Sequence, residues 1–254
     1  MVAIKWKKTL IFVTDCLLAV YIIFAMTAFN RPDQVNNTCN EVNIHIEESL
    51  VKGFLNADDV KTYLQRAHLY PLGTPMDQVD CRQIEESLIQ NPFVKSIQCY
   101  KTQTGHINIT LSQRQPVIRV KADNGEDYYV DEHGFTMPNT RFTSDLVIAT
   151  GNIHQKYAKK KLRDIGTFLV RHPLWRSQVE QIHVLRDESV EIIPRVGDHI
   201  VYLGKPDNLE RKFNRLEKFY KYGLSKAGWN KYSYIDIEFD NQIICKKRPM
   251  KQGA

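Results

Sequence analysis

Long apolar runs are nearly absent from these 254 residues; 10–29 is the only one. With a negative mean hydropathy, that excludes a multi-span membrane protein but leaves room for a single span. Cysteine is scarce, at five residues, which excludes a dense disulfide scaffold, and the lack of any C-x-x-C pair argues against a zinc or redox motif. Twelve glycines and ten prolines are too few for a collagen-like chain. A hydrophobic share of 43% is too high for a disordered one. There is no internal repeat, G-x-G-x-x-G, P-loop, H-E-x-x-H or His-x-His pair. A basic nucleic-acid face is missing too. The formal charge of +6 comes from Lys5, Lys7 and Lys8 at one end and Lys246, Lys247, Arg248 and Lys251 at the other; without those seven, 28 basic residues face 29 acidic ones.

What is present begins with the run from Leu10 to Phe29. Some 20 residues at 1.5 Å rise reach roughly 30 Å, the thickness of a bilayer core, so the run predicts a transmembrane helix at 10–29. Asp15, its one charge, either snorkels toward the headgroups or meets a partner helix. A cleaved signal peptide would be shorter and end in a clean small-x-small site; Ala25-Met26-Thr27 is a poor one, which favours a retained anchor. The lysines before the run, against only Arg31 and Asp33 just after it, place the N-terminus in the cytoplasm and the remainder across the membrane. Cys39, Cys81, Cys99 and Cys245 are then exported. Their even number permits disulfides, and buried free thiols are the other reading.

Arg31 to Asn40 reads as a polar linker. Glu41 to Ile46 alternates as a strand. Asn56-Ala57-Asp58-Asp59 starts a helix with an N-cap and early acids, and Val60, Tyr63, Leu64 and Ala67 follow the helical period. A second helix follows Asp80 and ends at Asn91-Pro92. Phe93–Tyr100 and His106–Ser112 form a hairpin, giving the order β-α-α-β-β. Asp123-Asn124-Gly125 and Asp131-Glu132-His133-Gly134 are further turns. A new unit is expected after Pro138, with a helix through Tyr157, Leu162, Ile165 and Leu169. Strands follow at Val179–Val184, Ser189–Ile193 and His199–Leu203. Asp207-Asn208-Leu209-Glu210 reads as a capping box opening a helix with Leu209, Phe213, Leu216, Phe219 and Tyr220 as its apolar stripe. Tyr234–Phe239 and Gln242–Lys246 close the chain as strands.

Chemistry is hard to find. Asp58-Asp59 is better explained as the first turn of a helix than as a metal or acid–base pair. Ser49-Leu50-Val51-Lys52 matches the S-x-x-K of penicillin-binding enzymes, but nine serines and 21 lysines give about 0.7 such matches by chance, and the S-x-N and K-T-G partners are absent. No catalytic residue, metal ligand or cofactor is assigned.

Several pieces, in order, resemble the bacterial FtsQ/DivIB family. Val42 to Ile46 and Phe54-Leu55-Asn56 look like the first strand and helix entry of its POTRA domain. Ile84 to Val94, ending Asn91-Pro92-Phe93-Val94, looks like its helix, x-Pro-x-Val step. Gln113-Arg114-Gln115-Pro116-Val117 resembles its Glu-Arg-x-Pro-Val element, with Gln113 in place of the acid. Tyr128 to Gly134 resembles its Tyr-x-Val-Asp-x-x-Gly turn. Leu203-Gly204, the helix from Asp207 and Tyr234 to Ile237 resemble its β domain.

The resemblance implies an α+β chain: cytoplasmic tail 1–9, transmembrane helix 10–29, linker 30–40, POTRA-like domain 41–115, a mixed-sheet β domain 116–247 with packed helices, and basic tail 248–254. It implies a non-enzymatic divisome scaffold without cofactor. The protein would sit in the inner membrane at the division septum, with the lipid bilayer around 10–29, its later domains periplasmic and no nucleic acid among its partners. The implied partners are FtsB and FtsL, with other divisome membrane proteins, and the implied role is recruitment and regulation of septal cell-wall synthesis. The partner contact falls on Tyr234, Ile235, Ile237, Phe239, Asn241, Gln242, Ile243, Ile244, Lys246 and Lys247. Lys246 and Lys247 either guard an edge against aggregation or attract an acidic segment. A POTRA-type chaperone or transport component for exported chains is the alternative. It would be expected to carry repeated POTRA units or a β-barrel, and neither is seen.

Overall fold

The computed structural model describes residues 6–29, 38–47, 54–139 and 146–249. Ser49 to Lys52, most of the 30–40 linker and the tail beyond residue 249 lie outside them.

Helix α1 spans Trp6–Phe29, starting earlier than the apolar run itself. Its described side chains, Trp6 and those of 10–26, are nearly all exposed, Leu10, Phe12, Tyr21 and Phe24 among them. Among the described residues no helix is long and apolar enough to cross a membrane.

The first folded unit has the expected order: β1 Glu41–Ile46, α2 Ala57–Arg66, α3 Cys81–Leu88, β2 Val94–Lys101 and β3 His106–Gln113. The strands make a sheet of order β1-β3-β2, with β1 parallel and β2 antiparallel to β3. The Asn56 side chain accepts the Asp59 N–H, and the Asp59 carboxylate accepts the Asn56 N–H. This capping box occupies Asp59 locally. Asp80 caps α3 through Arg82 and Gln83. Val60 and Leu64 of α2, Ile84 and Leu88 of α3, and Ile107, Ile109 and Leu111 of β3 form one buried cluster. Burying each such side chain contributes roughly 1.5–3 kcal/mol.

The second unit is one nine-stranded sheet. In chain order its elements are β4 Pro116–Ala122, β5 Asp127–Asp131, β6 Thr136–Pro138, β7 Ile148–Gly151, α4 Gln155–Tyr157, α5 Arg163–Arg171, α6 Pro173–Gln178, β8 Val179–Val184, β9 Val190–Pro194, β10 Ile200–Gly204, α7 Leu209–Phe219, α8 Ser225–Ala227, β11 Tyr232–Asp236 and β12 Ile244–Lys247. A π-helical turn joins α4 to α5 and another joins α7 to α8. The strand order is β12-β11-β10-β9-β8-β7-β4-β5-β6. No new unit therefore begins after Pro138, because β7 pairs in parallel with β4 and continues the same sheet. Gly151 allows the close pairing of β7 with β8 at its end: it holds φ 102°, and a Cβ there would lie 2.2 Å from the Val184 carbonyl oxygen.

Alternate residues of the strands, Val120, Ala149, Ile182, Ile192, Val201 and Ile235 among them, join Leu162, Ile165, Leu169, Trp175, Phe213 and Leu216 in one core. The expected capping box at the start of α7 does not form. Asn208 is left-handed, with φ 48°, and makes no side-chain cap. The Asp207 carboxylate instead takes Lys212 Nζ at 2.8 Å, and that buried ammonium also donates to the Leu203 and Lys205 carbonyls. The lysine holds Asp207 below the usual carboxylate range.

The units meet at a small aromatic junction. Phe54 stacks on Phe93 at 5.6 Å and meets Tyr129 edge-on at 5.4 Å, with Met137 buried beside them. Gln113 Nε2 donates to the Leu55 carbonyl at 2.9 Å.

Candidate partner-binding edge

The last two strands are displaced from the sequence expectation of Tyr234–Phe239 and Gln242–Lys246. They lie at Tyr232–Asp236 and Ile244–Lys247. The Asp236 carboxylate turns the chain early by accepting the Glu238 N–H at 2.8 Å, so Phe239 and Asn241 fall in the connection. That connection is fixed from α7. Arg215 donates to the Asp240 carbonyl at 2.6 Å and to the Ile237 carbonyl, and Arg211 pairs with the Asp240 carboxylate at 3.1 Å.

β12 is the end strand of the sheet and pairs antiparallel with β11. The Arg248 N–H donates to the Lys231 carbonyl, so it faces β11. Neighbouring N–H groups alternate along a strand. Those of Lys246 and Ile244 therefore face β11, whereas those of Lys247 and Cys245 face away from the sheet. The other end strand, β6, has three residues and ends at Pro138, which has no N–H to offer. β12 is thus the more open end among the described residues.

The ten residues named from the sequence divide into three groups. Phe239, Asn241, Gln242, Ile244, Lys246 and Lys247 are exposed. Ile243 and Tyr234 are half-buried. Tyr234 stacks on Tyr202 and donates its hydroxyl to Glu191 Oε1 at 3.1 Å. Burial and that carboxylate push the phenol up. Ile235 and Ile237 are fully buried, and they belong to the core rather than to a contact surface.

Arg248, the first residue of the expected basic tail, is held to the fold. It is not part of a free tail, because its guanidinium bonds the carboxylate and carbonyl of Asp198 and so seats the end of β12 against the start of β10. Fifty positions separate the two residues, and no local pattern signals the pair. No group of three potential metal ligands occurs among the described residues.

This architecture agrees with known proteins. A family model described as FtsQ/DivIB, C-terminal related, matches residues 115–246, and one described as a POTRA-like domain matches 37–112. The chain is similar to proteins named Cell division protein FtsQ. The one from Geotalea daltonii is 26% identical over 187 residues, covering 69% of this chain and 66% of that protein. The one from Rhodothermus marinus is 24% identical over 196 residues, covering 72% and 71%, and the one from Salinibacter ruber is 24% identical over 194 residues, covering 70% and 74%. The chain spans about two thirds of the length of the Geotalea protein. With the C-terminal model alone covering more than half of its residues, the chain belongs to the FtsQ/DivIB family of cell-division proteins.

Proposed function

We propose that the chain is a non-enzymatic, single-pass scaffold of the inner membrane at the division septum, with its N-terminus cytoplasmic and both folded units periplasmic. It captures the FtsB–FtsL pair as an added strand on β12, and through that pair helps recruit and regulate septal cell-wall synthesis. The observation that carries this reading is the open outer side of β12, whose Lys247 and Cys245 N–H groups face away from β11. An incoming strand would satisfy them by β-augmentation. The anchor rests on the apolar run of residues 10–29 in the sequence, although among the described residues no helix is long and apolar enough to cross a membrane. Lys246 and Lys247 leave this edge basic, which suits an acidic partner segment.

The test is a tagged full-length chain expressed in place of the parent. Mid-cell rings, with FtsB and FtsL co-isolated from detergent-solubilised membranes, are the expected result. Even labelling of the envelope, with unfolded exported chains co-isolated instead, would overturn it in favour of a chaperone-type component.

A further inference from the structure

Cys81 is the first residue of α3, and Cys99 lies on β2, against which α3 packs. Glu85, one turn along the helix from Cys81, accepts the Cys99 N–H at 2.6 Å through Oε1. Residues 81 and 85 share a helix face, so both stand over the same point of the strand. Both side chains pack against the same buried cluster of the first unit. Both side chains are half-buried, so a small reagent can reach them. The other cysteines are placed differently. Cys39 donates its thiol to the Glu41 carbonyl at 3.4 Å, Cys245 sits on β12 in the other sheet, and Cys16 lies on α1.

We infer that Cys81 and Cys99 form a reversible disulfide that staples α3 to β2, made by exchange with a disulfide donor on the exported side of the membrane. The compartment rests on the topology proposed above; the pairing rests on where α3 and β2 place the two residues. A three-stranded unit with two short helices has a small core, and small units gain most from such a staple. Burial, and then the neighbouring thiol, push the Cys99 thiol up. The first attack therefore falls to Cys81. Its thiolate attacks one sulfur of the donor, the donor's S–S bond breaks, and one donor thiol leaves. Cys99 then loses its proton to solvent and attacks the Cys81 sulfur, and the second donor thiol leaves. The pair is oxidised by two electrons and the donor disulfide is reduced to two thiols.

The test uses the full-length chain in detergent, equilibrated in a buffer of oxidised and reduced glutathione, blocked with maleimide, digested and weighed. The expected product is one linked peptide pair joining Cys81 to Cys99, lighter by two hydrogens than the free peptides, with Cys39 and Cys245 blocked. Reduction should lower the Tm by ~5 °C, and Cys81→Ser should remove that difference. Free thiols at both positions in the folded, oxidised chain, or a link to Cys39, would overturn the pairing. Maleimide trapping in intact cells separates the two readings. A pair that oxidises when purified but stays reduced in cells would overturn the exported setting, whereas one linked in both supports the whole inference.

Discussion

Arg114 and Asp131 are bonded at the junction of the two sheets, Nη1 to Oδ2 at 3.2 Å, with the carboxylate 2% exposed. Asp131 Oδ1 also accepts the His133 and Phe135 N–H groups, at 2.9 and 2.8 Å. The Arg114 guanidinium lies over the Phe135 ring at 4.1 Å. Two sequence elements read separately, Gln113 to Val117 and Tyr128 to Gly134, are therefore one structural clasp.

Breaking that clasp leaves a buried ion or its donors unpaired. Arg114→Ala and Asp131→Ala are each expected to cost about 3 kcal/mol, and the double change less than the sum of the two. Urea denaturation of the four chains measures this. Strict additivity would show that the pair is not coupled.

Phe54→Ala should loosen the contact between the units. Losing a buried ring from a cluster that includes Phe93, Tyr129 and Met137 is expected to cost about 3 kcal/mol. The denaturation curve by circular dichroism should then separate from that by fluorescence of Trp175 and Trp229, which both pack in the core of the second unit. Coincident curves in the variant would mean that the junction does not couple the units.

His199 gives the fold a pH dependence. It is 4% exposed, and its Nε2 meets the Tyr220 hydroxyl at 2.8 Å. Burial, and secondarily Arg248, hold its imidazole below the usual 6.5, while Asp198 opposes them. As pH falls the unfolded chain takes up the proton first. The stabilisation is therefore full above about pH 6.5 and is lost from there down to the lowered native value. His199→Gln should show a smaller loss of Tm than the parent between pH 7.5 and 5, an interval that starts about one unit above the unfolded value of about 6.5. Equal losses in both chains would place the effect elsewhere.

Much of this was legible because it is local. The alternation of Glu41 to Ile46 and His106 to Ser112, the Asn56 and Asp80 caps, and the apolar stripe through Phe213 and Leu216 all lie within a few residues of chain. Long-range partners were not legible. The sequence does not show that β7 returns to β4, that Asp207 serves Lys212 rather than a helix cap, or that Arg248 reaches back to Asp198. At the candidate edge the hydrophobic pattern was visible. The burial of Ile235 and Ile237 was not, because alternation gives two faces without saying which one is covered.

The most direct test of the β12 edge replaces single backbone N–H groups in the full-length chain. Proline removes the outward N–H at Lys247 and the inward one at Lys246. Lys247→Pro is expected to keep the parent's circular dichroism and to lose co-isolation of FtsB and FtsL from membranes, whereas Lys246→Pro should lower the Tm as β12 detaches from β11. A folded Lys247→Pro chain that co-isolates as much FtsB and FtsL as the parent would contradict the proposed strand addition at this edge.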